Sequence, residues 1–295
     1  MTAQHLDGPG RARARCAGRT VLRPCWVAVI ALLALTACTP RPQFPGDPLR
    51  INGRDGGTGK APDFGSLMRI GAAARAGGDY ANALAVYRRA SEIAPRDPAP
   101  MIGIGDALVE MGGANEAIVA FNSALARDPL AVPAQRGLAK AYLMTGRPEL
   151  ALGPLDHALA VAPTDREVLL LHGVTDDMVG RHAVAQDFYR RGLVVAPGDP
   201  ALTVDLALSM ALAGNYSAAI SVLRPIAASP AGGPHERQTL AMLYGLAGNT
   251  QEAARYARMD LDEAAVEHNL AYYESLRHLT AEARDRAILT TRGAS

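Results

Sequence analysis

The side chains able to do chemistry are few and scattered along this sequence of 295 residues. Six histidines follow the apolar segment near the start of the chain, and none has the H-E-x-x-H spacing that brings two imidazoles to one zinc ion. No G-x-S-x-G motif is present for an activated serine. The nearest phosphate-loop pattern, residues 54–61, has Arg54 where the first glycine is required and Ala61 where a hydroxyl would bind magnesium. We therefore predict no catalytic residue, no metal site, no cofactor and no enzyme activity.

The N-terminal segment and the cysteines indicate an exported chain. A basic stretch at residues 11–25 precedes an apolar run at residues 26–37, which is shorter than the roughly 20 residues that cross a bilayer. This order predicts a signal peptide over residues 1–37. Cys38 would then be the sole thiol of the mature protein, so an intrachain disulfide is excluded.

The residues around Cys38 carry a first resemblance. Leu35-Thr36-Ala37-Cys38 resembles the lipobox of bacterial lipoproteins. The resemblance implies a lipid on Cys38, and Thr39 after it implies an outer-membrane lipoprotein of the cell envelope that faces the periplasm. An ordinary cleaved signal with a chance cysteine is the alternative. Residues 38–62, rich in proline and glycine, are typical of a flexible tether.

Charge is distributed unevenly along the chain. The formal net charge is +1, but the predicted signal contains five arginines and one aspartate. The remaining residues are therefore mildly acidic, which argues against nucleic acid as a partner.

The rest of the chain repeats at a constant interval of about 34 residues, which is the separation of Gly78 and Gly112 in the sequence. Six glycines keep this interval: Gly78, Gly112, Gly146, Gly180, Gly214 and Gly248. Six alanines keep it too: Ala83, Ala117, Ala151, Ala185, Ala219 and Ala253. A bulky residue stands four positions after each of the first five alanines: Tyr87, Phe121, Leu155, Tyr189 and Leu223. Ala257 takes this position in the sixth repeat, and a proline closes four of the repeats.

Each recurring position has a physical role in a pair of antiparallel helices. Glycine adopts the left-handed backbone that ends a first helix, and alanine lets two helices cross closely. The bulky residue fills the core, and proline ends the second helix. The pattern resembles the tetratricopeptide repeat, a helix–turn–helix unit of roughly 34 residues. The resemblance implies an all-α fold, a tetratricopeptide-repeat α-solenoid of about six helical hairpins over residues 63–262, with a C-terminal capping helix and tail over residues 263–295.

The same resemblance locates a candidate binding face. Solenoids bind along a concave face lined mainly by the first helix of each hairpin. The matching positions here are Arg75, Asp106, Glu110, Arg136, Lys140, Leu143, Asp177 and Gln238. Arg136 and Lys140 lie one helical turn apart and could together meet a carboxylate. A solvated helix face is an equally good interpretation of any single member. His172 falls on a core position, which favours a packed histidine over a metal ligand.

A further resemblance lies in residues 269–273, which read Asn-Leu-Ala-Tyr-Tyr. With the lipobox, tether and repeats, this segment looks like the tail of the TadD group of tight-adherence (Flp) pilus assembly lipoproteins. The resemblance implies docking through Asn269, Leu270, Tyr272 and Tyr273. The spacing of three between Leu270 and Tyr273 also suits the core stripe of a capping helix.

The resemblances together imply a scaffold or adaptor for pilus assembly, with a pilotin-like role for the secretin. The expected partners are proteins, such as the pilus secretin or other assembly components, and the membrane through a lipid anchor. No nucleic acid and no small-molecule substrate are expected. Two alternatives stay open: a general periplasmic adaptor in envelope or cytochrome maturation, and an envelope enzyme.

Overall fold

The computed structural model describes residues 62–230 and 232–291. All regular elements in these residues are α-helices, numbered here in chain order. They are α1 (Phe64–Ala76), α2 (Tyr80–Ile93), α3 (Ala99–Glu110), α4 (Ala114–Leu125), α5 (Val132–Met144), α6 (Pro148–Val161), α7 (Arg166–Met178), α8 (His182–Val195), α9 (Pro200–Leu212), α10 (Tyr216–Ala227), α11 (Pro234–Leu246), α12 (Thr250–Ala257), α13 (Glu263–Arg277) and α14 (Ala281–Thr291). The predicted signal, the lipid site at Cys38 and nearly all of the predicted tether lie outside the described residues.

Successive helices pair into six hairpins, from hairpin 1 (α1 and α2) to hairpin 6 (α11 and α12). The second helix of each hairpin packs on the first helix of the next, and the first helices also contact one another. We call the surface formed by α1, α3, α5, α7, α9 and α11 the first-helix face. The predicted all-α solenoid of six hairpins is confirmed.

The six glycines of the repeating series make the turns inside the hairpins. Each has a positive φ, between 69° and 84°, a conformation in which any side chain would be strained. A polar residue then begins several of the second helices. Asp79, for example, accepts a hydrogen bond from the backbone N–H of Asn82, which satisfies one of the free donors at the start of α2.

Small residues let the helices approach closely. All six alanines of the repeating series are completely buried at the helix crossings. The bulky residue four positions on is also buried and packs against small residues of a first helix: a Cβ at Gly71 would lie 2.6 Å from the Tyr87 ring, and one at Gly105 would lie 2.5 Å from the Phe121 ring. This explains why the repeat pairs a small residue with a large one.

The C-terminal segment differs from the single predicted capping helix. Residues 263–291 form two helices, α13 and α14. The break falls at Thr280, whose hydroxyl accepts a hydrogen bond of 3.3 Å from the backbone N–H of Ala283 and so starts a new helix. None of the helices described here combines the length and apolar character needed to cross a membrane.

Candidate functional site

Five of the predicted concave-face residues line one groove on the first-helix face of hairpins 1 to 4. This charged groove has a volume of about 190 Å³. Its charged members come from α1, α3, α5 and α7: Arg75, Asp106, Glu110, Arg136, Lys140 and Glu167. The repeat therefore gathers three cations and three anions that are far apart in sequence.

The repeat geometry explains how these charges come together. Asp106 and Glu110 are four residues apart on α3, and Arg136 and Lys140 are four residues apart on α5, so each pair shares one side of its helix. The contacts of α3 with α5 and of α5 with α7 then place the two pairs and Glu167 in neighbouring rows.

The floor of the charged groove is apolar. Phe121 is completely buried beneath it, and Val109 and Leu171 line it as well. A Cβ at Gly137 would overlap the Phe121 ring, so the glycine lets α5 lie directly on the ring. Sequence reasoning did not include Gly137 in the site. A usable signal was that it stands one full repeat after Gly103, which packs on Tyr87 in the same way.

Two of the three groove cations are already paired. Arg136 Nη1 lies 3.1 Å from Glu167 Oε2 and 3.5 Å from Asp165 Oδ2, and Lys140 Nζ lies 3.7 Å from Glu110 Oε1. These pairs are partly exposed to solvent, so each contributes only about 0–1 kcal/mol to stability. They hold the side chains across the joints between hairpins 2 and 3 and between hairpins 3 and 4.

Arg75 differs from the other two cations. Among the described residues it has no ion pair, and its Nε is buried without a hydrogen-bond partner. The pKa of Asp106 is raised, mainly by burial. The neighbouring cations Arg75, Arg136 and Lys140 oppose this shift, and Glu110 adds to it. Because Arg75 has no ion pair among the described residues, its end of the groove offers positive charge to an incoming carboxylate.

Two other predicted members of the binding face lie outside the charged groove. Leu143 is half-buried and packs on the core cluster around Leu155 and Val168. Gln238 donates hydrogen bonds to Asp260 Oδ2 at 3.2 Å and to the Ala257 carbonyl at 3.3 Å. Both serve packing within or between hairpins.

The prediction that Asp177 is an exposed binding residue is wrong, because its side chain is buried. Oδ1 accepts a hydrogen bond of 2.7 Å from the Ser209 hydroxyl and lies 2.9 Å from Nδ1 of His182, and Oδ2 accepts one of 3.0 Å from the Tyr189 hydroxyl. The carboxylate thus joins hairpins 4 and 5 from inside, where an unpaired charge would be strongly unfavourable.

A second buried acid lies next to it. His172 is 4% exposed, as expected of a packed histidine, and its Nδ1 lies 2.9 Å from Asp176 Oδ2 while its Nε2 lies 3.0 Å from Asp156 Oδ1. Arg181 pairs with the same Asp176, and the Phe188 ring stacks on the imidazole at 3.9 Å. Burial lowers the pKa of His172, but the hydrogen bonds that the carboxylates of Asp176 and Asp156 accept from the imidazole outweigh burial, so the pKa is raised.

We call these two networks the polar joint: His172, Asp176, Asp177, His182, Tyr189 and Ser209. It contains a serine, a histidine and an aspartate, yet the Ser209 hydroxyl donates to the carboxylate of Asp177. In an activated serine the hydroxyl donates to an imidazole, which takes its proton. The polar joint therefore connects helices. No group of three or more potential metal ligands occurs within residues 62–230 and 232–291.

The predicted C-terminal docking residues divide by burial. Tyr273 is 6% exposed and packs on α11 over Gly245, and burial raises its pKa to about 12. Leu270 is half-buried against the same core. Asn269 is half-buried as well. Tyr272 is 39% exposed. Tyr273 is thus part of the core, whereas Tyr272 faces outwards.

Comparison with known proteins agrees with this architecture. Tetratricopeptide-repeat family profiles match residues 64–97 and 102–166. No curated protein matches the chain.

Three solved structures illustrate the likeness. PilW, a widely conserved type IV pilus biogenesis factor, is 20% identical with a TM-score of 0.62, covering 72% of this chain and 96% of its own. PilF of Pseudomonas aeruginosa is 16% identical with a TM-score of 0.60, covering 71% and 97%. A thermophilic repeat protein of Thermus thermophilus is 21% identical with a TM-score of 0.52, covering 61% and 98%. At these identities the likeness is one of fold. The chain is accordingly an all-helical solenoid built from tetratricopeptide repeats.

Proposed function

We propose that this protein is a lipid-anchored adaptor of the outer membrane that binds an acidic segment of a protein partner in the charged groove. The observation that carries the binding role is the groove itself: charged side chains of four first helices line it, neighbouring hairpins hold them in place, and Arg75 is a cation with no ion pair among the described residues. Extended peptides and helices bind such grooves through apolar contacts and a few charged anchors.

We assign the adaptor to tight-adherence (Flp) pilus assembly, with a pilotin-like role for the secretin. Three observations support this assignment: the lipobox ending at Cys38, the C-terminal segment at residues 269–273, and a fold shared with the pilus biogenesis factor PilW. The anchor would hold the groove at the periplasmic side of the membrane, within reach of a secretin subunit.

The binding role is tested by reversing one charge. We expect Arg75→Glu to weaken binding of the purified secretin at least tenfold, because the groove would then repel an acidic segment. Arg88→Glu makes the same change of charge at an exposed site on α2, away from the groove, and is the matched control. Equal affinity of both variants and the wild type in a binding titration would show that the groove does not bind the secretin.

The pilus assignment is tested in cells. Deleting the gene should lower the amount of secretin multimers and of surface pili, and a plasmid copy should restore both. Normal levels of both in the deletion strain would reject the pilotin-like role while leaving the binding role of the groove to the titration above.

A further inference from the structure

The first helices of the hairpins differ greatly in how many of their residues are buried. In α5, five of 13 residues are buried, whereas in α9 ten of 13 are buried. Both helices lie inside the array and have a hairpin on each side, so their position among the hairpins does not explain the difference. The additional neighbour of α9 is α14, which returns from the C-terminal end of the array and packs on α9.

Helix α14 is seated through a narrow apolar stripe. Ile288 is 1% exposed and belongs to the same core cluster as the residues of α9, with Ala287 and Leu289 partly buried beside it. Glu282 and Arg286 on the same helix are exposed. The helix therefore turns a short apolar segment towards α9, and Ile288 is its one fully buried large side chain.

The polar part of this contact is poorly satisfied. Among the described residues, the Tyr216 hydroxyl, Nε of Arg284 and one carboxylate oxygen of Asp285 are buried without a hydrogen bond. The Arg284 guanidinium lies 5.9 Å from the centre of the Tyr216 ring. The pKa of Asp285 is raised, because burial outweighs the opposing effect of the neighbouring Arg284 and His182. Groups that lose water and regain no hydrogen bond weaken the docking that buries them.

We propose that the surface of α9 beneath α14, together with Tyr216 and His182, is a helix-binding site that α14 occupies in the free protein and an amphipathic partner helix takes in its place. The chemistry of α14 defines that partner: a large aliphatic residue in the position of Ile288, and an acidic residue one turn earlier, in the position of Asp285, facing His182 and Tyr216. A partner helix that also satisfies the Tyr216 hydroxyl would bind better than α14. The site lies on hairpin 5 and on His182 of hairpin 4, and it shares no residue with the charged groove.

The first experiment unseats α14 in the full-length chain. Ile288→Glu places a charge in the apolar contact, and Thr290→Glu adds the same charge at an exposed position of the same helix. The probe is a labelled synthetic peptide of residues 279–292. We expect Ile288→Glu to bind the peptide at least tenfold more tightly than the wild type, and Thr290→Glu to bind it like the wild type. Equal affinity of all three proteins would overturn the proposal.

A second measurement uses the wild type alone and so does not depend on a variant that folds. In hydrogen exchange, α14 should exchange faster than α9, and excess peptide should accelerate exchange in α14 while α9 stays protected. Exchange of α14 as slow as that of α9, unchanged by peptide, would show that α14 is a permanent part of the core. A wild-type dimer that Ile288→Glu converts to monomer would assign the site to α14 of a second copy and also overturn the proposal.

Discussion

Glycines beneath aromatic rings set the spacing of the array residue by residue. Gly71 and Gly105 lie against the rings of Tyr87 and Phe121 at distances that leave no room for a Cβ. Because the rings are buried, they have little freedom to move aside. The helix propensity lost at each glycine, about 1 kcal/mol, is therefore offset by closer packing of two helices.

This packing predicts a cost for one added methyl group. Gly105→Ala should lower the free energy of unfolding by about 1–3 kcal/mol, because overpacking a fixed ring strains the surrounding helices. Gly153→Ala on α6 is the matched control, since its Cβ would meet nothing within 4 Å. Urea unfolding followed by circular dichroism measures both. An unchanged midpoint for Gly105→Ala would show that the Phe121 ring can shift freely.

The polar joint predicts a pH dependence that belongs to His172. Its pKa is raised above the ordinary value of 6.5, so the charged form is the one stabilised by folding. The contribution is complete below about pH 6.5 and is lost as the pH rises through the raised pKa. The difference in free energy of unfolding between the wild type and His172→Gln should therefore be larger at pH 6 than at pH 9. Equal differences at both values would contradict the assignment.

Burial of individual polar residues was the part least accessible from sequence. Asp177 and Arg75 occupy the same position of the repeat, and the pattern predicted the same exposure for both. Asp177 is buried because Ser209, on the first helix of the next hairpin, and Tyr189 supply hydrogen bonds that the other repeats lack at this position. Such a network depends on pairs of residues in different hairpins, which periodicity alone does not identify.

Among the elements, α13 completes the last hairpin. The sixth repeat has Ala257 where earlier repeats have a bulky residue, and Tyr273 of α13 packs over Gly245 of α11. Helix α13 thus supplies the large side chain that the sixth repeat lacks.

This role predicts different effects for two adjacent tyrosines. Tyr273→Ala should lower the free energy of unfolding by about 3 kcal/mol, because it leaves a cavity at the end of the core. Tyr272→Ala should change it by less than about 1 kcal/mol, since that side chain is 39% exposed. Thermal and urea unfolding of both variants provide the comparison. A similar loss in the two would show that Tyr272 also supports the cap.

The sequence predicted the hairpins of the array better than it predicted the structure of the C-terminal end. The regular interval between glycines predicted all six hairpin turns, because each turn requires a residue with positive φ and glycine supplies it at every one. It did not predict the division of residues 263–291 into α13 and α14. That division depends on a single threonine cap and on the docking of Ile288, and neither repeats.

At the scale of the whole molecule, the proposed adaptor has a lipid anchor and two binding surfaces. The charged groove lies on the first helices of hairpins 1 to 4, and the helix-binding site beneath α14 lies on hairpin 5 and His182. The two surfaces consist of different residues, so each can be changed separately by substitution.

The proposed lipid anchor predicts where the protein is found in the cell. Cys38→Ser should move the protein from the membrane fraction to the soluble fraction, because acyl chains would no longer be attached. Its thermal unfolding should match that of the wild-type protein released from the membrane with detergent. Detection of the variant in the membrane fraction at the wild-type level would reject the lipid anchor.

The polar joint also has a consequence for the order of assembly. Similar repeats share matching surfaces, so a chain of them could fold with one unit skipped and its neighbours stacked out of sequence. Skipping hairpin 5 would take the Ser209 hydroxyl away from Asp177, and skipping hairpin 3 would take Asp156 away from His172, whereas His172, His182 and Tyr189 stay within hairpin 4. A buried polar group that loses its hydrogen-bond partner destabilises by about 1–3 kcal/mol. Asp177 and His172, in the middle of the array, therefore favour the correct neighbour on each side of hairpin 4.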